Sequence, residues 1–252
     1  MLYRKITKRI EDYFASKSER MLLIEGARQV GKSYIIRQVG QKTFSNYIEI
    51  NMEEDKLGDR VFAQAKTTND FYMALSIYAG DKMGNKENTL VFIDEIQAYD
   101  HLLTLVKFLM KDNKFRYIAS GSLLGVTLKS TQSLPIGSLD IVHMYPMDFE
   151  EFMVANNVSK TTLDMLDEKF ETLSPVDDFI HRKLISMFFV YLIVGGMPDA
   201  VKTYIETKDI REVDKVQRDI ITLYKEDFSQ YELEDKKLKL KSIYDIIPAE
   251  LN

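Results

Sequence analysis

The sequence predicts an α/β fold with a mainly parallel five-stranded sheet, followed by an all-helical region. Three observations carry this. Five short apolar runs, at 21–25, 47–50, 90–94, 116–120 and 141–145, alternate with helical spacing at 32–40, 68–79 and 100–112. Such alternation builds strand–helix–strand units whose strands lie parallel. A glycine loop, GARQVGKS at 26–33, joins the first run to the first of those helices. After Pro146 the character changes. No convincing strand appears from 147 to 235, while DFEEFMVANN, LDMLDEKFETL, DDFIHRKLISMFFVYLIV and REVDKVQRDIITLYKEDFSQYE all carry helical spacing.

Taken in order, residues 3–18 read as an amphipathic helix with Ile6, Ile10, Tyr13 and Phe14 on one side. MLLIE (21–25) then reads as a buried strand. The loop that follows is G-x-x-x-x-G-K-[ST] with every fixed position filled, the phosphate-binding loop of nucleotide hydrolases. Gly26 and Gly31 let the backbone N–H groups of Gly26, Ala27, Arg28, Gln29, Val30 and Gly31 turn inward around a triphosphate. Lys32 can reach the β- and γ-phosphates, the Ser33 hydroxyl can ligate Mg²⁺, and Tyr34 completes the candidate nucleotide site. The helix that begins here, with Ile35, Ile36 and Val39 at helical spacing, would point its N-terminus at the phosphates.

TLVFIDEIQ (89–97) is an apolar run ending in two acids, as suits a strand buried on both faces. Asp94 is placed to hold Mg²⁺ through its water shell. Glu95 is placed to polarise an attacking water, which a binder that only switches would not need. An acidic pair here could also simply cap the next helix, 96–111. The most apolar stretch, LISMFFVYLIVGGM (184–197), is too short to span a bilayer and reads as a buried helix.

Composition narrows the field. The chain has 252 residues and no cysteine, which excludes disulfides and thiolate metal sites and fits a reducing cytoplasm. His101, His143 and His181 lack metal-ligand spacing, and the first residues lack the apolar core of a signal peptide. A net charge of −5 does nothing to promote non-specific duplex binding.

GARQVGKS and VFIDEIQ resemble the AAA-type ATPases of bacteria and archaea whose P-loop domain is joined to a C-terminal domain of unknown function. YIASGSLLG (117–125), LPIGSLDIVHMYPMDFEEF (134–152) and YLIVGGMPDAV (191–201) add to that resemblance. It implies a sheet in which the strand ending at Ser120 lies between the P-loop strand and the Asp94 strand. It implies domains at 1–146 (ATPase), 147–235 (helical, lid-like) and 236–252, the last being the cut-short opening of a further domain. Asn51, ending the second strand, would hold Glu95 away from the water, or would simply start a loop. Ser120 would orient the attacking water, with Ser122 as the alternate and a plain Ser-Gly-Ser turn as the third reading. Arg28 would lie near the triphosphate, reach a neighbouring subunit, or be exposed without a role. Arg4 or Tyr3 would lie near the adenine. Where the resemblance has Gly-Arg, this chain has Gly137-Ser138; if that arginine stabilises the transition state, hydrolysis here would be slow unless Arg116, Arg182 or Arg218 serves, and otherwise the arginine has a different role. Gly195-Gly196-Met197-Pro198 reads as a helix stop or a ligand contact.

The expected function is Mg²⁺-dependent hydrolysis of ATP to ADP and phosphate, coupled to movement of the helical and C-terminal parts. The catalytic set is Glu95, Lys32, Asn51 and Ser120; Ser33 and Asp94 hold the metal. The competing readings are an ATP-gated switch or scaffold with little hydrolysis, and the ATPase subunit of a DNA-transaction system. Partners would be a second copy or the C-terminal domain, with DNA only through a region outside this chain and no membrane.

Overall fold

The computed structural model describes residues 2–122, 136–230, 239 and 242–246. The parts of the expected motifs at 123–125 and 134–135, and most of the expected third domain at 236–252, lie outside the described residues. The chain divides into two compact units between Pro146 and Met147.

The first unit is a parallel five-stranded sheet with helices. Its strands are β1 (Met21–Glu25), β2 (Asn46–Asn51), β3 (Thr89–Asp94), β4 (Arg116–Gly121) and β5 (Leu139–His143). Their order is β2-β3-β4-β1-β5, with every neighbouring pair parallel. β4 therefore lies between β1 and β3. Burial follows position in the sheet. All six residues of β3 and of β4 are buried, whereas the edge strands β2 and β5 alternate. Central strands of a parallel sheet are covered on both faces, so their sequences run apolar without alternation.

Before β1 comes α1 (Ile6–Ala15), shorter than the 3–18 expected from spacing. The other helices of this unit are α2 (Lys32–Thr43), α3 (Met52–Leu57), α4 (Thr68–Ala79) and α5 (Asp100–Asp112). α4 starts at a capping box, in which Thr67 and Asp70 satisfy each other's backbone N–H. α5 buries Leu102, Leu103, Leu105, Val106 and Leu109 in the core that contains Val91, Ile93 and Tyr117. It is preceded by a separate 3₁₀ turn at Ile96–Ala98. α3 is too short to register as a period, and the sequence does not announce it. β5 begins two residues earlier than expected. It pairs with β1 from Met21↔Leu139 onward, so the length of β1 sets where it starts.

The second unit contains α6 (Phe149–Ala155), α7 (Lys160–Glu171), α8 (Asp178–Val194), α9 (Pro198–Thr207) and α10 (Ile210–Gln230). Met147, Phe152, Val194, Ala200, Val201 and Val213 form its core. The 184–197 stretch is a helix up to Val194, but the expectation that it is buried is wrong. Phe189, Leu192 and Ile193 are 61%, 61% and 55% exposed. A continuous apolar run puts apolar side chains all round a helix, and the core takes only the face of Met187, Val190, Tyr191 and Val194. No helix among the described residues is long and apolar enough to cross a membrane.

The Gly-Gly-Met-Pro element is a helix stop. Gly195 has φ 73°, and Pro198 opens α9 at its first turn. Gly196 has a second task. Its carbonyl accepts from the Met147 N–H at 2.7 Å, and a Cβ there would lie 2.1 Å from the Met147 oxygen. Gly196→Ala is therefore expected to destabilise the helical unit by about 1–3 kcal/mol, as overpacking does. A lower urea midpoint with an unchanged slope would show it; an unchanged midpoint would mean that the segment shifts freely.

Candidate active site

The carboxyl ends of the strands bring the predicted residues to one edge of the sheet. Register places Asn51 beside Asp94, Ile24 beside Ser120, and Glu25 between Gly121 and His143. Ligands of open parallel sheets bind at this edge.

The glycine loop leaves β1 under tight constraint. The Gly26 N–H donates to the Gly121 oxygen at 3.3 Å, and a Cβ on Gly26 would lie 2.2 Å from the Met144 oxygen. Gln29 and Gly31 both have positive φ, 62° and 93°. Val30 is buried in the core, while Ala27 and Gln29 are exposed. Tyr34, on the first turn of α2, is 51% exposed and accepts a hydrogen bond from Gln38 at 2.8 Å. Arg28 pairs with Glu53 at 3.2 Å, which ties the loop to α3.

Arg4 serves the loop in a way the sequence does not suggest. It is buried, and its guanidinium donates to the Val30 oxygen at 2.7 Å and to the Tyr145 oxygen at 2.6 Å. These bonds pin the phosphate loop to the segment after β5. They are the observed task of a side chain expected beside an adenine. Tyr3 is 45% exposed.

Lys32 is buried at the start of α2, and its ammonium donates to the Gly26 and Ala27 oxygens, both at 2.9 Å. Burial pushes its pKa below the ordinary lysine value, against the opposing pull of the Glu95 and Asp94 carboxylates. Ser33 follows, and its hydroxyl donates to Asp94 Oδ2 at 2.8 Å. The Ser120 hydroxyl donates to the other Asp94 oxygen.

Burial raises the Asp94 pKa, and the hydrogen bonds from Ser120 and Ser33 oppose that rise. A carboxyl raised in the folded state stabilises it fully below the unfolded pKa. That contribution is lost as pH rises through the folded value. Once ionised, Asp94 thus weighs against folding. Asp94→Asn is expected to raise stability at pH 7 by about 1 kcal/mol, with the advantage shrinking toward acid pH. Urea midpoints at two pH values measure this; a less stable variant at pH 7 would mean that the serine bonds outweigh burial.

Glu95 has left-handed backbone, φ 49° and ψ 50°, a strained geometry for a non-glycine residue. Its Oε2 accepts from Gln97 Nε2 at 2.6 Å, from the Ser122 hydroxyl at 2.9 Å and from the Ser122 N–H at 3.2 Å. Asn51 does not hold it. The Asn51 side-chain oxygen instead accepts from the N–H groups of Glu53 and Glu54 and caps α3. No hydrogen bond among the described residues joins Asn51 to Glu95. Ser120, expected to face a water, is buried and bonded to Asp94; its alternate Ser122 is the serine on Glu95. Gln97 was not picked out by sequence, although its position two residues beyond Glu95 in VFIDEIQ was visible.

Among the candidate arginines, Arg116 lies away from the site within the first unit. Arg116 opens β4 at the opposite edge of the sheet. It is buried, donates to the Ser18 oxygen at 3.1 Å and lies over the Tyr13 ring at 4.1 Å. Arg182 and Arg218 are engaged on their own helices, with the Asp178 oxygen and with Asp214. Ser138 immediately precedes β5, whose first residue pairs with Met21 at the start of β1. An arginine there would stand roughly 17 Å of strand from the glycine loop. It could not reach the glycine loop of its own chain.

Ser33 and Asp94 suit a magnesium ion: a hydroxyl and a carboxylate, both hard oxygen donors, meet beside a phosphate loop. No cluster of three or more His, Cys, Asp or Glu side chains among the described residues could hold a metal. This ion typically takes few protein ligands and completes its shell with phosphates and water.

A family model described as "AAA domain" matches residues 18–153, just over half of the chain and the whole of this site. The chain belongs to that family. A second model, described as a domain of unknown function, matches residues 185–252. No curated protein matches the chain. Among solved structures, PCH-2 of C. elegans is 12% identical with a TM-score of 0.49, over 86% of this chain and 70% of its own. AMPPCP-bound DnaA from Aquifex aeolicus is 11% identical with a TM-score of 0.46, over 93% and 74%. The S. cerevisiae Hsp104–ADP complex is 15% identical with a TM-score of 0.46, over 98% of this chain but 39% of its own. By the family match the first unit is an AAA-type P-loop domain, and a helical unit follows it.

Proposed function

We propose that the protein binds Mg²⁺-ATP and hydrolyses it to ADP and phosphate. The observation that carries this reading is the pairing of two acids at one strand end, each held by its own set of side chains. Asp94 is held by Ser33 and Ser120, and the adjacent Glu95 by Ser122 and Gln97. A protein that only binds nucleotide has no need of the second, separately held carboxylate.

In this reading the N–H groups of residues 26–33 receive the phosphates, and Lys32 exchanges its loop carbonyls for β- and γ-phosphate oxygens. Ser33 and Asp94 would hold Mg²⁺, which would supply positive charge beside the phosphates. Glu95 takes the proton of the attacking water as the bond from the γ-phosphorus to the leaving ADP breaks. We place nucleotide chemistry in residues 1–146 and its mechanical response in 147–235. β5 leads into the helical unit within a few residues, and the Met144 oxygen at its end lies against Gly26. The cation that stabilises the transferring phosphoryl group would come from a second copy, since Arg116 is held at the far end of β4 by the Ser18 oxygen and the Tyr13 ring.

Phosphate release at saturating ATP, with and without Mg²⁺ and over a range of protein concentrations, tests the reading. Turnover that requires Mg²⁺ and rises faster than protein concentration is expected. ATP binding without phosphate release at any concentration would overturn hydrolysis and leave an ATP-gated switch.

A further inference from the structure

We propose that Gln97 and Ser122 form a cradle that aims Glu95, so that both are positioning residues for the hydrolytic water. The inference rests on the hydrolytic reading of the site above. The three side chains close a triangle. Ser122 donates its hydroxyl to Glu95 Oε2 at 2.9 Å and accepts from Gln97 Nε2 at 3.2 Å, and Gln97 Nε2 also donates to Glu95 Oε2 at 2.6 Å. The roles are forced. A carboxylate only accepts, so the amide must present its NH₂ and the serine its O–H.

All the hydrogen bonds to the Glu95 carboxylate among the described residues fall on one oxygen. The other, Oε1, is left to accept from water. A glutamate side chain has three rotatable bonds, and a general base works only within hydrogen-bond reach of the proton it takes. Anchoring one oxygen fixes where the other can be.

Two costs at the same place show that the arrangement is selected by more than packing. Glu95 keeps a left-handed backbone, and Gln97 Oε1 is buried without a hydrogen-bond partner among the described residues. Both serve the cradle. The left-handed turn brings Gln97 back toward the residue two before it, and the amide face turned to Glu95 leaves its oxygen unpaired. Ser122 adds a link across the sheet, because it follows directly on β4, whose Ser120 holds Asp94. The Ser-Gly-Ser turn thus grips both acids, one serine each.

The test uses Gln97→Ala, Ser122→Ala and Ser122→Thr in the full chain. Either alanine variant is expected to lower kcat by at least about tenfold with KM for ATP changed by less than about twofold, because the cradle acts on the water and not on the bound nucleotide. Ser122→Thr, which keeps the hydroxyl, is expected to retain most of the rate. In a Glu95→Gln background, Ser122→Ala should cost nothing further. Unchanged kcat in both alanine variants would overturn the proposal, as would a faster rate, which would make the contacts a restraint. Crystal structures of the wild type and of the Gln97→Ala/Ser122→Ala double variant decide the geometry independently of turnover. The Glu95 carboxylate is expected to leave its position in the double variant. If it stays, the cradle is refuted. If the wild type releases no phosphate, the hydrolytic reading falls while the crystallographic comparison still decides whether these residues hold Glu95.

Discussion

Lys32→Ala is expected to weaken ATP binding by more than about 100-fold, a loss of roughly 3 kcal/mol or more. Lys32 is the loop's fixed cation, and it is already desolvated: its ammonium is buried against the Gly26 and Ala27 oxygens. A buried charge exchanged onto phosphate oxygens gains more than an exposed one would, since water screens it less. Calorimetric titration with Mg²⁺-ATP measures the loss. Because the lysine also ties the loop to itself, a urea melt of the variant must accompany the titration. Unchanged affinity in a folded variant would remove the loop from nucleotide binding altogether.

Glu95→Gln separates binding from chemistry. The amide is nearly isosteric, but it cannot take a proton from water, so turnover is expected to fall by about 10²–10⁴-fold. ATP affinity should stay within about twofold, because a group used only in the transition state contributes little to ground-state binding. The cradle predicts a further consequence. An amide nitrogen at the Oε2 position would face the donors of Gln97 and Ser122, so the new side chain must present its oxygen there and its NH₂ to the water. Single-turnover hydrolysis at saturating Mg²⁺-ATP is the measurement. Equal rates in variant and wild type would take Glu95 out of the mechanism.

Much of the fold was legible because it depends on local pattern. The continuous apolar runs of β1, β3 and β4 declared strands of a mainly parallel sheet, and the position of β4 between β1 and β3 followed from the family resemblance. The loop 26–33 was legible for the same reason: its spacing is its function, and eight consecutive residues carry it. Asp94 and Glu95 were legible as acids at a strand end. What failed were inferences about which distant side chains meet. The family resemblance sets Asn51 against Glu95, with a plain loop start as the alternative. Yet a residue at a strand end that also starts a helix finds the nearest unsatisfied N–H groups first, and Asn51 caps α3. The apolar run of α8 was read as buried, but hydrophobicity says only that a helix has apolar faces, not how many neighbours cover them.

By itself the sequence determined the frame: a phosphate loop, a strand bearing two acids, and a helical unit after Pro146. These are properties of contiguous residues, so their physics is set by spacing along the chain. Only the tertiary structure decided how the frame is wired. Sheet register put Ser120 on Asp94, and the turn that follows β4 put Ser122 on Glu95. Folding the N-terminal segment back brought Arg4 to the Val30 carbonyl, 26 positions away. The parallel pairing of β5 with β1 carried Ser138 to the wrong edge of the sheet for a finger in its own chain. Each of these is a meeting of residues from different elements, and no one-dimensional period encodes it. It is set by which strands pair, in which register, and by the requirement that every buried donor and acceptor find a partner.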